Sequence, residues 1–72
     1  MKMYLCHNSS SVKIKWNLPF LPRIGETLSV SGLLSENQNN ELCRNRDYFT
    51  VTHIAWFPSR RENQSFVEII LE

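Results

Sequence analysis

Tyr48-Phe49-Thr50-Val51-Thr52-His53-Ile54-Ala55-Trp56-Phe57 decides how this chain folds. The stretch is rich in aromatic and β-branched residues, which fit the pleated surface of a strand. Its phase carries the information. Phe49 and Val51 share one face, whereas Ile54 and Trp56 fall on the opposite parity. A regular strand buries one pair and exposes the other. One inserted residue near Thr52 and His53, a β-bulge, brings all four to the same side and bends the strand. A small barrel needs such a bend to close. The sequence therefore predicts a bulge at Thr52 and His53, with Trp56 in the core. The alternative is a regular strand whose Ile54 and Trp56 form an apolar patch, as interfaces do.

Four further strands surround this one. Lys2 to His7 is short and apolar. Ser11 to Leu18 places Val12, Ile14 and Trp16 on one face and Lys13 and Lys15 on the other, the period of a half-buried strand. The turn formers Asn8, Ser9, Ser10 and Ser11 lie between them, so the two read as an antiparallel hairpin. Thr27 to Leu33 alternates with Leu28 and Val30 inward, and Ser65 to Leu71 closes the chain. Pro58 to Asn63 reads as the turn before it.

Two connections stand out. In the first, Pro19 and Pro22 fix two φ angles and remove two backbone donors, and Gly25 takes positive φ at no steric cost. This predicts an ordered turn pinned over the core by Phe20, Leu21 and Ile24. The second, Ser35 to Asp47, holds the amides Asn37, Gln38, Asn39 and Asn40, then Arg44, Asn45 and Arg46. It reads as one long polar loop, with Glu36 to Arg46 the most mobile internal segment because it has so little to bury. Ser35 with Gln38 also has the spacing of a capping box that opens a helical turn, with Leu42 as its apolar anchor.

The chain is 72 residues long, so residues 1–72 read as a single small β-domain. The expected class is all-β, a small five-stranded curled sheet or SH3-like barrel. A net charge of +1 points to neither nucleic acid nor a membrane as a dominant partner. Cys6 and Cys43 read as free thiols of a reducing compartment. No signal-peptide pattern and no run of about 20 apolar residues is present. The sequons at Asn8 and Asn63 are then chance, and the expected location is cytoplasmic.

Leu21-Pro22-Arg23-Ile24-Gly25-Glu26-Thr27-Leu28, together with Tyr48, Phe49, Val51, Ile54 and Trp56 and the apolar-acidic end from Val67 to Glu72, resembles a group of small bacterial proteins of uncharacterised function. These carry Leu-Pro-Arg, a branched residue, Gly and an acid before a strand. The resemblance implies a β-barrel and brings no activity, cofactor or partner with it. The amide-rich stretch before Tyr48 departs from the pattern.

Chemistry-bearing constellations are sparse. Cys6, His7, Cys43 and His53 are zinc-compatible, but no two sit at the spacing of a structural site, and adjacent Cys6 and His7 face opposite ways on a strand. The plain reading is a buried Cys and a solvent-facing His. A Cys–His nucleophilic pair lacks an orienting third group. Gly25 and Gly32 are the only glycines, so there is no phosphate-cradling loop. No catalytic, metal-binding or cofactor-binding residue is assigned, and neither a cofactor nor a small-molecule substrate is indicated.

Two binding readings remain. In the first, the domain is a non-catalytic interaction module for a protein partner or a second copy of itself, using an edge strand and anchors such as Phe57, Arg60 and Arg61. In the second, a single-stranded nucleic acid stacks on Trp16, Phe20, Trp56 or Phe57 beside Lys13, Lys15, Arg23, Arg60 and Arg61. The competing view places both tryptophans in the core and the basic residues on a solvated face. The near-neutral charge favours the protein reading.

Overall fold

In the computed structural model, which describes residues 2–42 and 46–72 and of these all side chains but those of Asn39 and Glu62, the chain forms five strands and one short helix. The strands are β1 (Lys2–His7), β2 (Ser10–Ile14), β3 (Thr27–Ser29), β4 (Tyr48–Phe57) and β5 (Phe66–Leu71). The helix, α1 (Glu36–Leu42), lies between β3 and β4, and a 3-10 turn, Glu62–Gln64, precedes β5. The sheet runs β2-β1-β5-β4-β3 and curls into a half-barrel. It is mixed, because β1 and β5 are parallel while the other neighbours are antiparallel.

β1 and β2 form the expected hairpin, with His7 opposite Ser10. Its loop is Asn8–Ser9, and Asn8 takes φ 54°, a left-handed conformation that Asn tolerates well. β2 ends at Ile14, short of Leu18. The chain turns away there, and the Trp16 indole N–H donates to the Phe20 carbonyl oxygen at 2.7 Å.

The bulge in β4 is present. Val51 pairs with Leu71 and His53 with Ile70, so Thr52 is the inserted residue. Phe49 and Val51 are buried, and Ile54 packs against the core from the same face. Trp56 follows that parity, since it pairs with the buried Val67, yet it is 57% exposed. Its expected place in the core is therefore corrected. The cause is where β3 begins: it pairs with β4 from Tyr48 to Thr50, the Gly25 turn before it bonds Val51, and no strand lies beside the rest of β4 on that side.

The two-proline turn is ordered as expected, but only part of it is pinned. Leu21 packs on the core and Pro22 is buried, whereas Phe20 and Ile24 are each 65% exposed. Glu26 N–H donates to the Arg23 carbonyl, closing a turn with Gly25 at φ 94°. Gly25 N–H donates to Val51 and Val51 N–H to Glu26, so the turn is stitched to β4 beside the bulge. A Cβ on Gly25 would meet nothing within 4 Å, so backbone strain alone opposes a side chain there. Gly25→Ala is expected to cost on the order of 1 kcal/mol, read from the urea midpoint; an unchanged midpoint would contradict the positive φ.

The polar stretch after β3 is not a loop throughout, because α1 occupies part of it. The capping box forms: Gln38 N–H donates to Ser35 Oγ at 3.3 Å, and Ser35 N–H to Gln38 Oε1 at 3.1 Å. Leu42 is buried, and the Gln38 amide donates to the Lys13 carbonyl at 2.6 Å, covering part of the β2 edge. The remainder of the expected mobile segment includes residues 43–45, which lie outside the described residues. Within α1 one buried apolar side chain offsets the ordering of seven residues. Its amides are therefore expected to exchange with solvent well before those of Val51 and Ile69. Equal protection in a hydrogen-exchange series would show that α1 opens only with the whole fold.

Asp47 fastens the end of β3. Its carboxylate accepts from the Ser29 hydroxyl and the Ser31 N–H, both at 2.9 Å, and its carbonyl accepts from Val30 N–H. The Ser31 N–H first, then the Ser29 hydroxyl, hold that carboxyl below the ordinary Asp range.

Candidate functional site

The register sorts the side chains onto two faces. On the inner face, Ile14 is opposite Met3, Met3 beside Val67 and Val67 opposite Trp56, which makes one row across four strands. The next rows are Val12-Leu5-Ile69-Ile54 and Ser10-His7-Leu71-Val51. The later rows are sealed by Phe49, Val30 and Leu42. In the first row Ile14, Met3 and Val67 are buried too, and Trp56 at its end stands open. Met3, Trp16, Leu21, Trp56 and Val67 line a groove of about 280 Å³. Exposed Leu18 and Phe20 follow Trp16 on the same connecting segment. Trp16 is fixed by its bond to Phe20, so it forms one wall, and Trp56 stands at the other side.

A second hollow adjoins the first. Lys2, Lys13, Lys15, Asn17 and Asn63 line a pocket of about 450 Å³ that shares Trp16 with the groove. Lys2 pairs with Phe66 on β5. The β1–β2 ladder ends at Met3 and Ile14, one residue short of Lys2 and Lys15. All three lysines are exposed. Among the described residues the one ion pair is Arg23 to Glu26, at 3.9 Å.

The outer face carries an aromatic cluster. Phe57 stacks on Phe66 with centroids 4.5 Å apart, and Tyr4 meets Phe66 edge-on at 5.7 Å. Glu68 sits between Tyr4 and Ala55 on that face.

The sequence-derived candidates thus fall into separate places. Lys13 and Lys15 share the pocket. Arg23 is tied to Glu26 in the Gly25 turn. Phe57 belongs to the outer cluster, away from the groove side of β4. Arg60 and Arg61 lie exposed in the β4–β5 connection, where Arg61 N–H donates to Ser59 Oγ. Lys2, Asn17 and Asn63 were not among the candidates. Lys2 was within reach, since it precedes Met3, the last residue of the hairpin ladder, as Lys15 follows Ile14.

Cys6 and His7 do face opposite ways. Cys6 Sγ is 3.5 Å from Ser11 Oγ on the outer face. Burial pushes its thiol above the ordinary value, away from the thiolate a nucleophile needs; Ser11 pulls it back and Glu68 adds to the rise. His7 is not solvent-facing. It lies half-buried with its ring 4.8 Å from that of Phe49 and Nδ1 3.2 Å from the Leu42 carbonyl oxygen. His53 is exposed and two strands from Cys6, about 10 Å away by strand spacing. Cys43 lies outside the described residues. Among those described, no three His, Cys, Asp or Glu side chains come together as a metal site would need. Among the described residues no helix is long and apolar enough to cross a membrane.

No protein-family model, curated protein or solved structure matches the chain.

Proposed function

We propose that the chain is a non-catalytic interaction module that receives a protein segment in the groove between Trp16 and Trp56. One observation carries this reading. Trp56 stands on the core-facing row of the sheet and is nevertheless 57% exposed, beside Met3, Leu21 and Val67. A domain this small gains from burying every large side chain it can, so an open tryptophan over an apolar floor marks a surface kept for a partner. The free side of β4 beyond Val51 leads to Trp56 and offers backbone groups to an added strand. An SH3-like kinship and a cytoplasmic setting, in which Cys6 stays reduced, fit the same reading.

The test is selection of a random peptide library on the immobilised domain, with Trp56→Ala as the comparison surface. Peptides that bind the parent and not the variant are expected. No enrichment, or binders indifferent to Trp56, would overturn the proposal. A second copy of the chain as occupant would show instead as a concentration-dependent mass that Trp56→Ala abolishes.

Single-stranded nucleic acid is the second reading, favoured by the three lysines that share a pocket with Trp16. Steeply salt-dependent binding of an oligonucleotide would support it. Glu68, beside the Phe57–Phe66 stack, weighs against a phosphate path across the outer face.

A further inference from the structure

We infer that the segment received by this domain is an apolar–acidic peptide: one bulky apolar side chain seats between Trp16 and Trp56, and carboxylates beside it lie against Lys2, Lys13 and Lys15. The inference rests on the interaction-module reading and names the chemistry of its partner.

The two hollows form one surface. Trp16 lines both: Met3, Leu21, Trp56 and Val67 complete one, and the three lysines with Ile14, Asn17 and Asn63 complete the other. The apolar part is small, with room for an anchor and not for an extended apolar face. The basic part begins at the next residue in sequence, Lys15. At about 3.3 Å per residue of extended chain, an acid two to four positions from the anchor reaches the lysines.

Among the described residues no opposite charge accounts for this clustering. Lys2, Lys13 and Lys15 line one pocket, and like charges gathered in that way repel. No described carboxylate pairs with Lys2, Lys13 or Lys15, because the single ion pair belongs to Arg23 and Glu26. An anionic ligand would relieve the repulsion. Asn17 and Asn63 add amide donors, which carboxylates accept. A nucleic acid would also bring anions, but the groove floor is Met3, Leu21 and Val67, a surface for an aliphatic or aromatic side chain rather than for a ladder of bases.

The chain reports its own occupancy, since Trp16 and Trp56 are its only tryptophans. The full chain is titrated with a blocked, tryptophan-free peptide carrying one leucine among glutamates. Parallel titrations use the same peptide with the leucine replaced by serine, its lysine-for-glutamate counterpart, and a single-stranded oligothymidylate. The acidic leucine peptide is expected to shift the tryptophan emission to the blue and to weaken markedly from low to moderate salt. The serine and lysine counterparts are expected to bind more than about tenfold more weakly, a loss in the range of one hot-spot contact. The Lys13→Glu/Lys15→Glu variant should lose the acidic peptide and gain the lysine one, a reversal that misfolding does not mimic.

Equal binding of acidic and lysine peptides, without salt dependence, would overturn the inference and leave the module reading intact. The same holds if library peptides depend on Trp56 but carry no acids. Failure of every peptide, with an empty library selection, would sink both. Tighter binding of the oligothymidylate than of the peptide would overturn the inference in favour of nucleic acid.

Discussion

Phe49→Ala is expected to unfold the domain at physiological temperature. Phe49 is 1% exposed and touches more of the structure than its size alone conveys. Its ring packs edge-on to His7 of β1 at 4.8 Å. On the other side it carries the Arg46 guanidinium 4.4 Å from its centroid. Its backbone pairs with Leu28 of β3. Arg46 in turn donates to the Tyr48 and Glu72 carbonyls, so the ring lies beneath a strap that ties the start of β4 to the end of β5. Truncating a buried Phe costs about 3–5 kcal/mol. A domain of this length has roughly 3–5 kcal/mol in total. The two figures are equal in size, so the far-ultraviolet circular dichroism of Phe49→Ala should be that of an unfolded chain. Phe49→Leu keeps most of the volume and should cost less than about 1.5 kcal/mol. Tyr48→Ser, one residue away and 65% exposed, should leave the urea midpoint near the parental value. An Ala variant that melts like the parent would mean that the centre of the core lies elsewhere.

The contrast between Phe49 and Trp56 also measures how far the sequence could be read. Both sit in one strand, and the bulge that aligns them follows from parity alone: no other arrangement puts Phe49, Val51, Ile54 and Trp56 on one face. The Gly25 conformation was equally legible, because two prolines and a glycine before a strand leave few turn geometries. The length of β3 was not. Thr27 to Leu33 alternates well enough to read as one strand, but a turn begins at Val30, where Leu33 and Leu34 N–H both donate to its carbonyl. That turn is local hydrogen bonding in competition with the ladder, and periodicity is blind to it. The groove has a separate origin: the segment that precedes β3 leaves β4 at the Gly25 turn beside Val51, so Trp56 has no neighbouring strand on that side. Strand order was similarly out of reach. Parallel pairing of the first and last strands brings Lys2 beside Phe66 and Met3 beside Val67, and no local pattern in either segment encodes that neighbour. The candidate site is therefore a product of tertiary arrangement, with Lys13, Lys15 and both tryptophans visible beforehand and Asn17 and Asn63 not.

Trp56→Ala is expected to fold, and to lose binding. Residue size predicts the reverse, because a buried tryptophan costs as much to truncate as a buried phenylalanine. Exposure decides the matter. With 57% of Trp56 open to solvent, less than half of that loss applies, about 1–2 kcal/mol. Ile54 offers the internal comparison. It lies on the same face of the same strand, two residues deeper, and packs against the buried core. Ile54→Ala should therefore lower the urea midpoint more than Trp56→Ala does, although it removes the smaller side chain. If Trp56→Ala proves the more damaging of the two, the groove is closed in solution and the tryptophan belongs to the core. For binding the order is inverted. Trp56 forms one side of the groove and Ile54 is not among its lining residues. Removing an aromatic anchor from an interface typically costs 2 kcal/mol or more, roughly thirtyfold in affinity. Paired urea and peptide titrations of the two variants then give a crossed pattern: Ile54→Ala the weaker in stability and near-parental in affinity per folded molecule, Trp56→Ala the more stable of the two and weak in affinity. A defect at the level of folding alone lowers both quantities together in each variant, so only an open, functional tryptophan yields the crossing.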